Sequence, residues 1–390
     1  MTREEAYFIQ MSGAAVSGRP VPPPDKIDWN RLYALFTAQD LRALSFPFLN
    51  GHCPDKALLQ DWETAFYNIS CQMANYEFET ERLLSALEEA GIRHCLIKGY
   101  VLRNYYPYRD MRTMGDVDLL VDQASLEQAY QVFTTLGFCR TNQIAYEHTY
   151  QKGALTYEVH TRLIFARLGT KIDCAEYFDS WQTHMTQSAR GAMTYELEPD
   201  FHILYLLVHL AKHFYFGGFG LRMLLDIYVF LGRFPNLPWD SINRQLREMR
   251  LDLFAGYVSA FLERWYSVKI PGVPTVEPSK LDLFTQNMLD GSTFFSTKDE
   301  EKREIHARGV ALSQLFRILF PSFDHMAVNH SYIEKRPYLL PVAWLHRFGT
   351  VIFRRKTSIP QASHAIKNLS AMDSETQLQL AFAKKLGLPH

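Results

Sequence analysis

Two aspartates, Asp116 and Asp118, stand one residue apart in a short apolar segment, residues 115–121, that predicts a β-strand. Because side chains alternate across a strand, both carboxylates face the same side of the predicted sheet. Like charges this close repel each other unless a cation lies between them. Carboxylate oxygens suit Mg²⁺ or Mn²⁺, and two such ions can assist phosphoryl or nucleotidyl transfer. A pair of this kind is also typical of a solvated strand face or a turn.

A third acidic residue is expected on a neighbouring strand, because two carboxylates rarely hold two ions. Residues 154–160 alternate between apolar and polar side chains, and Glu158 and His160 fall on the polar face. We therefore expect Glu158 to complete the metal site and to help deprotonate an acceptor hydroxyl. Glu147 is the alternative if Glu158 lies on the opposite face of the sheet.

A predicted strand upstream ends in Lys98-Gly99, and a helix is predicted to begin there. Glycine allows a phosphate to approach the backbone closely, a helix N-terminus offers free N–H groups, and lysine adds a full positive charge. The surrounding basic residues are Arg93, Lys98, Arg103, Arg109 and Arg112, with Asp110 as their only acidic neighbour. We expect Lys98, Gly99 and Arg112 to face a triphosphate, and Arg93 and Arg103 to lie in a solvated loop.

Downstream, residues 201–228 predict two helices separated by glycines. His202, His209 and His213 share one stripe of the first helix, with Lys212 beside them. The histidines fit three interpretations: a transition-metal site, contacts to phosphate, base or acceptor in the catalytic cleft, or polar positions within a helical bundle. Arg222 and Asp226, four residues apart, predict a salt bridge within the second helix.

The pattern of the whole chain predicts an α+β fold. Proline-rich residues 17–25 indicate an extended connector after a short N-terminal arm. Short strands and one helix over about a hundred residues indicate a small sheet domain, and the signal beyond Pro199 is almost entirely helical. The predicted parts are an N-terminal arm with helices at 1–90, a catalytic sheet domain at 91–198, and a large C-terminal helical domain at 199–390.

The individual elements follow from spacing and from glycine and proline positions. The predicted helices are 29–48, 56–90, 123–136, 200–216, 220–232, 239–249, 251–267, 308–319, 340–354 and 374–386. The predicted strands are 92–97, 116–121, 138–142, 146–151, 154–161 and 193–197.

Composition narrows the class of protein. The formal net charge of the 390 residues is −1, whereas a protein that grips a DNA duplex usually has a clear basic excess. The five cysteines are widely spaced without a Cys-x-x-Cys motif, which favours a reducing cytoplasm over a disulfide framework. The N-terminus lacks the apolar region of a signal peptide, and no apolar run approaches the roughly 20 residues of a membrane span.

The string LIKGYVLRNYYPYRDMRTMGDVDLLV resembles the DNA polymerase β-type nucleotidyltransferase superfamily. More narrowly, it is similar to a group of bacterial nucleotidyltransferases whose signature runs LKG…Y…R…(G/S)D(I/V)DLLV, followed by an acidic residue beside a histidine. The resemblance implies Asp116, Asp118 and Glu158 as catalytic metal ligands, and Lys98-Gly99 as the phosphate turn. It also places Gly115 at the nucleotide. Lysine–glycine replaces the superfamily's usual glycine–serine turn, and glutamate stands where a third aspartate is commoner.

We therefore expect a nucleotidyltransferase that uses Mg²⁺ or Mn²⁺ to move a nucleoside monophosphate from an NTP, such as ATP, to a hydroxyl acceptor with release of pyrophosphate. Its nucleotide-binding residues would be Lys98, Gly99, Arg112, Gly115, His209, Lys212 and His213. The near-neutral charge favours a protein or small-molecule acceptor over tRNA. The alternatives are a toxin-like nucleotidyltransferase acting on tRNA or a partner protein, and a nucleotide-binding module without catalysis.

Overall fold

The computed structural model describes residues 1–19, 21–49, 51–144, 146–164, 174–216, 218–290, 336–344, 346 and 379–389. Four helices precede the sheet: α1 (Arg3–Val16), α2 (Trp29–Ala38), α3 (Arg42–Leu49) and α4 (Lys56–Glu89). Helix α1 corrects the predicted N-terminal arm. Thr2 and Glu5 form a reciprocal capping box at its start, and burial of Phe8 and Ile9 holds it against the core.

Seven strands form one mixed sheet within the described residues, in the order β3-β4-β5-β2-β1-β7-β6. The strands are β1 (His94–Ile97), β2 (Val117–Val121), β3 (Cys139–Ile144), β4 (Glu147–Lys152), β5 (Leu155–His160), β6 (Met185–Gln187) and β7 (Thr194–Leu197). Three short helices lie between strands: α5 (Gly99–Leu102), α6 (Leu126–Thr135) and α7 (Ala175–Phe178). Strand β2 runs antiparallel to β1 and parallel to β5 at the centre of the sheet.

The two faces of the central strand pack against different layers, because neighbouring side chains alternate. Val117 and Leu119 face a core built with α4 and α6, which includes Phe133 and Tyr157. Leu120 faces the opposite core, which is formed mainly by helices that precede and follow the sheet segment. Every residue of β2 is buried, so a polar side chain on this strand lies between two packed layers.

The C-terminal layer begins directly after β7 with α8 (Pro199–Phe216), followed by α9 (Leu221–Arg233), α10 (Trp239–Glu248), α11 (Asp252–Tyr266) and α12 (Pro278–Asp290). The N-terminal helices pack into this layer. The amide of Gln39 donates to the carbonyl of Met288 at 3.1 Å and accepts from the backbone N–H of Leu221 at 2.8 Å. The Tyr266 hydroxyl donates to the Ile9 carbonyl at 3.1 Å. Helices α1–α3 therefore share a core with α8–α12.

The α+β fold class is confirmed: helices flank one mixed sheet and form a layer at the C-terminal side. The division into three domains stays a prediction. The predicted helix 29–48 is two helices, and β6 and α12 were missed. The predicted helix 308–319 lies outside the described residues, as do most of 340–354 and the start of 374–386. None of the described helices has the length and apolar character needed to cross a membrane.

Candidate active site

Asp118 and Glu158 occupy paired positions on β2 and β5, which run parallel at the centre of the sheet. His160 lies two residues beyond Glu158 and therefore on the same face of β5. One ligand atom from each of these three side chains lies within 4.8 Å of the other two. No other group of three His, Cys, Asp or Glu side chains in the described part of the chain converges in this way.

The buried carboxylate of Asp118 accepts hydrogen bonds from two side chains on one oxygen. Lys98 Nζ lies 2.6 Å from Oδ1, and His160 Nε2 lies 2.9 Å from the same atom. Burial alone would raise the pKa of Asp118, but the charge of Lys98 and the hydrogen bond and charge of His160 hold it below its usual value. Asp118 therefore stays ionised inside the fold.

The sequence predicted Asp116 as the first residue of this strand, but the strand begins at Val117, and Asp116 immediately precedes it. Its side chain is nonetheless close to the same charges. Burial, followed by repulsion from Asp118 and Glu158, raises the pKa of Asp116 to about 6. The neighbourhood therefore carries more negative charge than its cations neutralise, which is the condition that a bound metal ion would relieve.

His160 connects the carboxylates and was not among the predicted site residues. Its Nε2 lies 3.4 Å from Glu158 Oε2, and its Nδ1 lies 3.6 Å from Glu147 Oε2. Burial lowers the pKa of His160, but hydrogen bonds to Asp118 and Glu158 outweigh that effect and raise it. The available signal was its place beside Glu158 on the polar face of β5.

The Lys98-Gly99 turn differs from the prediction in its physical details. The left-handed residue is Lys98, with φ 53° and ψ −129°, a strained conformation for a residue with a side chain. Gly99 is buried, and a Cβ there would lie 3.1 Å from Met114 and 3.2 Å from the Arg112 guanidinium. The helix that follows is only four residues long. Gly99 therefore allows this close packing, because a side chain there would press against Met114 and Arg112.

Arg112 was predicted to face a triphosphate, and the structure instead commits it to an ion pair. Its Nε and Nη2 donate to the two oxygens of Asp226 at 2.8 and 2.7 Å, and Nη1 donates to the Thr113 carbonyl. Asp226 also accepts from the Tyr106 hydroxyl at 2.9 Å. The predicted Arg222–Asp226 bridge is therefore wrong, and Arg222 pairs with Asp40 at 2.5 Å.

Gly115 is exposed, and its carbonyl accepts from the Tyr76 hydroxyl at 2.7 Å. This bond fixes the backbone one residue before Asp116. A role for Gly115 at the nucleotide remains a prediction.

Helix α8 brings His209, Lys212 and His213, here termed the α8 wall, close to the carboxylates. Burial, followed by the charge of Lys98, lowers the pKa of Lys212 to about 8, with Glu147 and Glu158 acting in the opposite direction. The His209 and His213 Nε2 atoms lie 3.1 Å apart. Partial burial, followed by nearby lysine charges, lowers the pKa of the half-buried His209. The pKa of His213, which is exposed at the end of this wall, is shifted in the same direction, so neutral rings are favoured.

His202 does not join this wall. Its side chain is buried against Phe230, and burial lowers its pKa to about 4. Tyr205 was missed by the sequence reasoning: it lies on α8 near Lys98, and burial raises its pKa well above the usual value. No sequence signal distinguished it from the other aromatic residues of this apolar helix.

The donor set fits a divalent cation. Asp118 and Glu158 supply carboxylate oxygens on adjacent strands, and Asp116 lies beside them, where burial, followed by repulsion from these two carboxylates, raises its pKa. Oxygen ligands of this kind suit Mg²⁺ and Mn²⁺. Lys98, in contact with Asp118, and the α8 wall place cationic and neutral groups beside these carboxylates, where an anionic ligand would be favoured.

The sequence profile of a family described as uncharacterised nucleotidyltransferase matches residues 25–267. No protein of curated function matches the sequence. The chain is similar to the solution structure of the antibiotic-resistance factor ANT(2″)-Ia, with a TM-score of 0.32 and 10% identity over 44% of this chain and 89% of that one. A crystal structure of ANT(2″)-Ia with adenylyl-2″-tobramycin has a TM-score of 0.30 and 11% identity, over 48% of this chain and 97% of that one.

Proposed function

Because the chain belongs to this family of nucleotidyltransferases, we propose that it transfers a nucleoside monophosphate from an NTP to a hydroxyl acceptor in a reaction that needs Mg²⁺ or Mn²⁺. The acceptor oxygen forms a bond to the α-phosphorus, and the bond from that phosphorus to the β-phosphate oxygen breaks. Pyrophosphate leaves with the electron pair, and the hydroxyl proton passes to a base. ATP is the first NTP to test.

The observation that carries this proposal is the pairing of Asp118 with Glu158 across β2 and β5, with Asp116 beside them. Asp116, Asp118 and Glu158 would hold the metal ions. When bound, such ions neutralise charge on the phosphates and favour the attacking oxygen. Glu158 is half-buried at the edge of this group, which leaves its carboxylate available to accept the acceptor proton.

The lysines near the carboxylates support a role in binding the triphosphate. Lys98 is already held at the carboxylates by Asp118, and Lys212 lies within electrostatic reach of Lys98 and Glu158. Ammonium groups in this position would attract phosphate oxygens. Arg112 takes no part in this proposal, because Asp226 and Thr113 engage its guanidinium.

The α8 wall would form the acceptor side of the pocket. His209 and His213 stay neutral near Lys98 and Lys212, so one ring can accept a hydrogen bond from a hydroxyl. Replacing His209 with Gln should change acceptor use more than metal binding. If acceptor use and metal binding fell equally in His209→Gln, His209 would have only a structural role.

Transfer can be tested with each of four α-labelled NTPs, a divalent metal and a cell extract. Asp118→Asn should abolish labelling of the acceptor. Asp122→Asn is the matched control, because Asp122 follows the end of β2 and pairs with Arg93 at 3.5 Å, away from the carboxylates. Undiminished transfer by the Asp118→Asn protein would reject the assignment.

The size of the labelled product identifies the acceptor class. The net charge of −1 supports a small molecule or a protein, so we expect label in the small-molecule or protein fraction. Label in tRNA would instead favour the toxin-like alternative, and nucleotide binding without transfer would favour an inactive module. The five cysteines are free in the structure, which supports a reducing cytoplasm as the compartment.

A further inference from the structure

We propose that His160 is itself a metal ligand, through Nε2, in a mixed nitrogen and oxygen site with Asp118 and Glu158, and that the site therefore prefers Mn²⁺ to Mg²⁺. This inference rests on the proposed function, since it concerns the metal of the same reaction. It departs from the all-carboxylate site that the sequence had predicted.

The spacing of the three donor atoms matches that of ligands around one ion. His160 Nε2 lies 2.9 Å from Asp118 Oδ1 and 3.4 Å from Glu158 Oε2. Ligands at about 2.1 Å from an octahedral ion, at right angles to each other, are about 3.0 Å apart. An ion placed among these atoms would therefore reach all three with small side-chain movements.

Glu147 supplies the support that a ligating histidine commonly has. Strands β4 and β5 are antiparallel, and Glu147 is paired with His160 in their register. The Glu147 carboxylate lies 3.6 Å from His160 Nδ1, on the side of the ring away from Asp118. A carboxylate that accepts from one ring nitrogen of a ligating histidine orients the ring, and Glu147, at ion-pair distance from Nδ1, is placed to take that role once the other nitrogen binds a metal.

The contacts of Asp118 show where the cation belongs. Lys98 Nζ and His160 Nε2 both approach Oδ1 of this carboxylate, so two positive or proton-bearing groups occupy the place of an ion. His160 would hold a metal there through Nε2, with the proton of that nitrogen passing to solvent. Lys98 would then be available to a phosphate if its ammonium left Oδ1 of Asp118.

The identity of the donors decides the metal preference. Magnesium favours oxygen ligands and dehydrates reluctantly. Imidazole nitrogen favours transition metals, and manganese accepts both imidazole and carboxylate. Replacing one oxygen with nitrogen therefore shifts the site from Mg²⁺ toward Mn²⁺.

Pulsed electron paramagnetic resonance of Mn²⁺ added to the full chain tests the ligand directly. We expect a coupling from an imidazole nitrogen in the wild-type protein and in the His209→Gln control, and no such coupling in His160→Gln. Isotopic labelling of the histidine nitrogens identifies the coupling without any substitution, should the variant fail to fold. Bound Mn²⁺ without nitrogen coupling would overturn the inference and leave the proposed function standing.

Metal titrations provide the second measurement. We expect Mn²⁺ to bind the wild-type protein at least about tenfold more tightly than Mg²⁺, and the ratio to fall in His160→Gln. Glu147→Gln should weaken Mn²⁺ binding by about tenfold, because the ring loses its orienting carboxylate. Equal affinity of wild type for both ions would count against the nitrogen ligand. Absence of any metal binding, with or without NTP, would reject this inference and the metal requirement of the proposed function together.

Discussion

The guanidinium of Arg112 and the carboxylate of Asp226 form a buried two-point ion pair, with Nε–Oδ1 and Nη2–Oδ2 distances of 2.8 and 2.7 Å. The pair joins the segment that leads to Asp116 with helix α9 of the C-terminal layer. Both side chains are less than a tenth exposed. The position of the segment that leads to Asp116 is therefore coupled to the packing of a helix more than a hundred residues away.

Removing the charge of Asp226 should destabilise the fold strongly. Asp226→Asn leaves the buried Arg112 guanidinium without its counter-charge, and such losses cost about 3–5 kcal/mol of the free energy of unfolding. Urea denaturation at neutral pH measures this. The double variant Arg112→Met, Asp226→Leu should be less destabilised than Asp226→Asn alone, because no charge remains unpaired. A change below about 1 kcal/mol in Asp226→Asn would contradict the coupling.

Neutralising Asp116 should stabilise the metal-free protein in a pH-dependent way. The pKa of Asp116 is raised from the usual 3.8 to about 6, so the folded state retains a proton that the unfolded state releases. Stability is therefore lost as pH rises from about 4 to 6, and the full cost is present above pH 6. We expect Asp116→Asn to raise the melting temperature at pH 8 more than at pH 4, in a chelator. Equal changes at both values would contradict this assignment.

The same reasoning gives the opposite pH dependence of folding stability for Asp118, because its pKa is lowered. Lys98 and His160 hold its pKa below the usual value, so its contribution to stability is present at neutral pH and lost in acid. Relief of repulsion, which the sequence had suggested for both aspartates, thus applies to Asp116 alone. Asp118→Asn should lower the melting temperature at pH 7.

Lys98 should contribute to nucleotide affinity. Hydrogen bonds to charged groups contribute about 1.5–3 kcal/mol, so Lys98→Ala should weaken binding of a non-hydrolysable NTP by about 10- to 100-fold. Calorimetric titration measures it. Lys152→Ala is the matched control, because Lys152, at the end of β4, pairs with Glu79 of α4 at 2.8 Å. Unchanged affinity in Lys98→Ala would remove this residue from the triphosphate site.

Lys212 should make NTP binding depend on pH near 8. Burial and the charge of Lys98 lower the pKa of Lys212 to about 8, so the positive charge of Lys212 is lost as pH rises through that value. We expect NTP affinity to fall between pH 7 and 9 in the wild-type protein. Lys212→Arg should flatten that profile, because arginine stays charged. Identical profiles in both proteins would show that another group titrates.

The sequence by itself determined most of the local elements around the site and the type of chemistry. Asp118 and Glu158 could be assigned to the polar faces of two strands because side chains alternate with a period of two residues. The segment after Pro199 could be assigned to helices because apolar residues recur at helical spacing. Both assignments depend only on the order of nearby residues in the chain, which the sequence gives directly.

Only the tertiary structure decided which distant residues meet. Arg112 is paired with Asp226, and Arg222 with Asp40, because helix α9 packs beside the loop before β2. An i,i+4 spacing gives an arginine one local partner but does not reveal a competing carboxylate from elsewhere. His160 likewise joins the site through the register of β4, β5 and β2. Register depends on burial of whole strand faces and on turns, so the identity of the facing residues emerges only when the sheet is assembled.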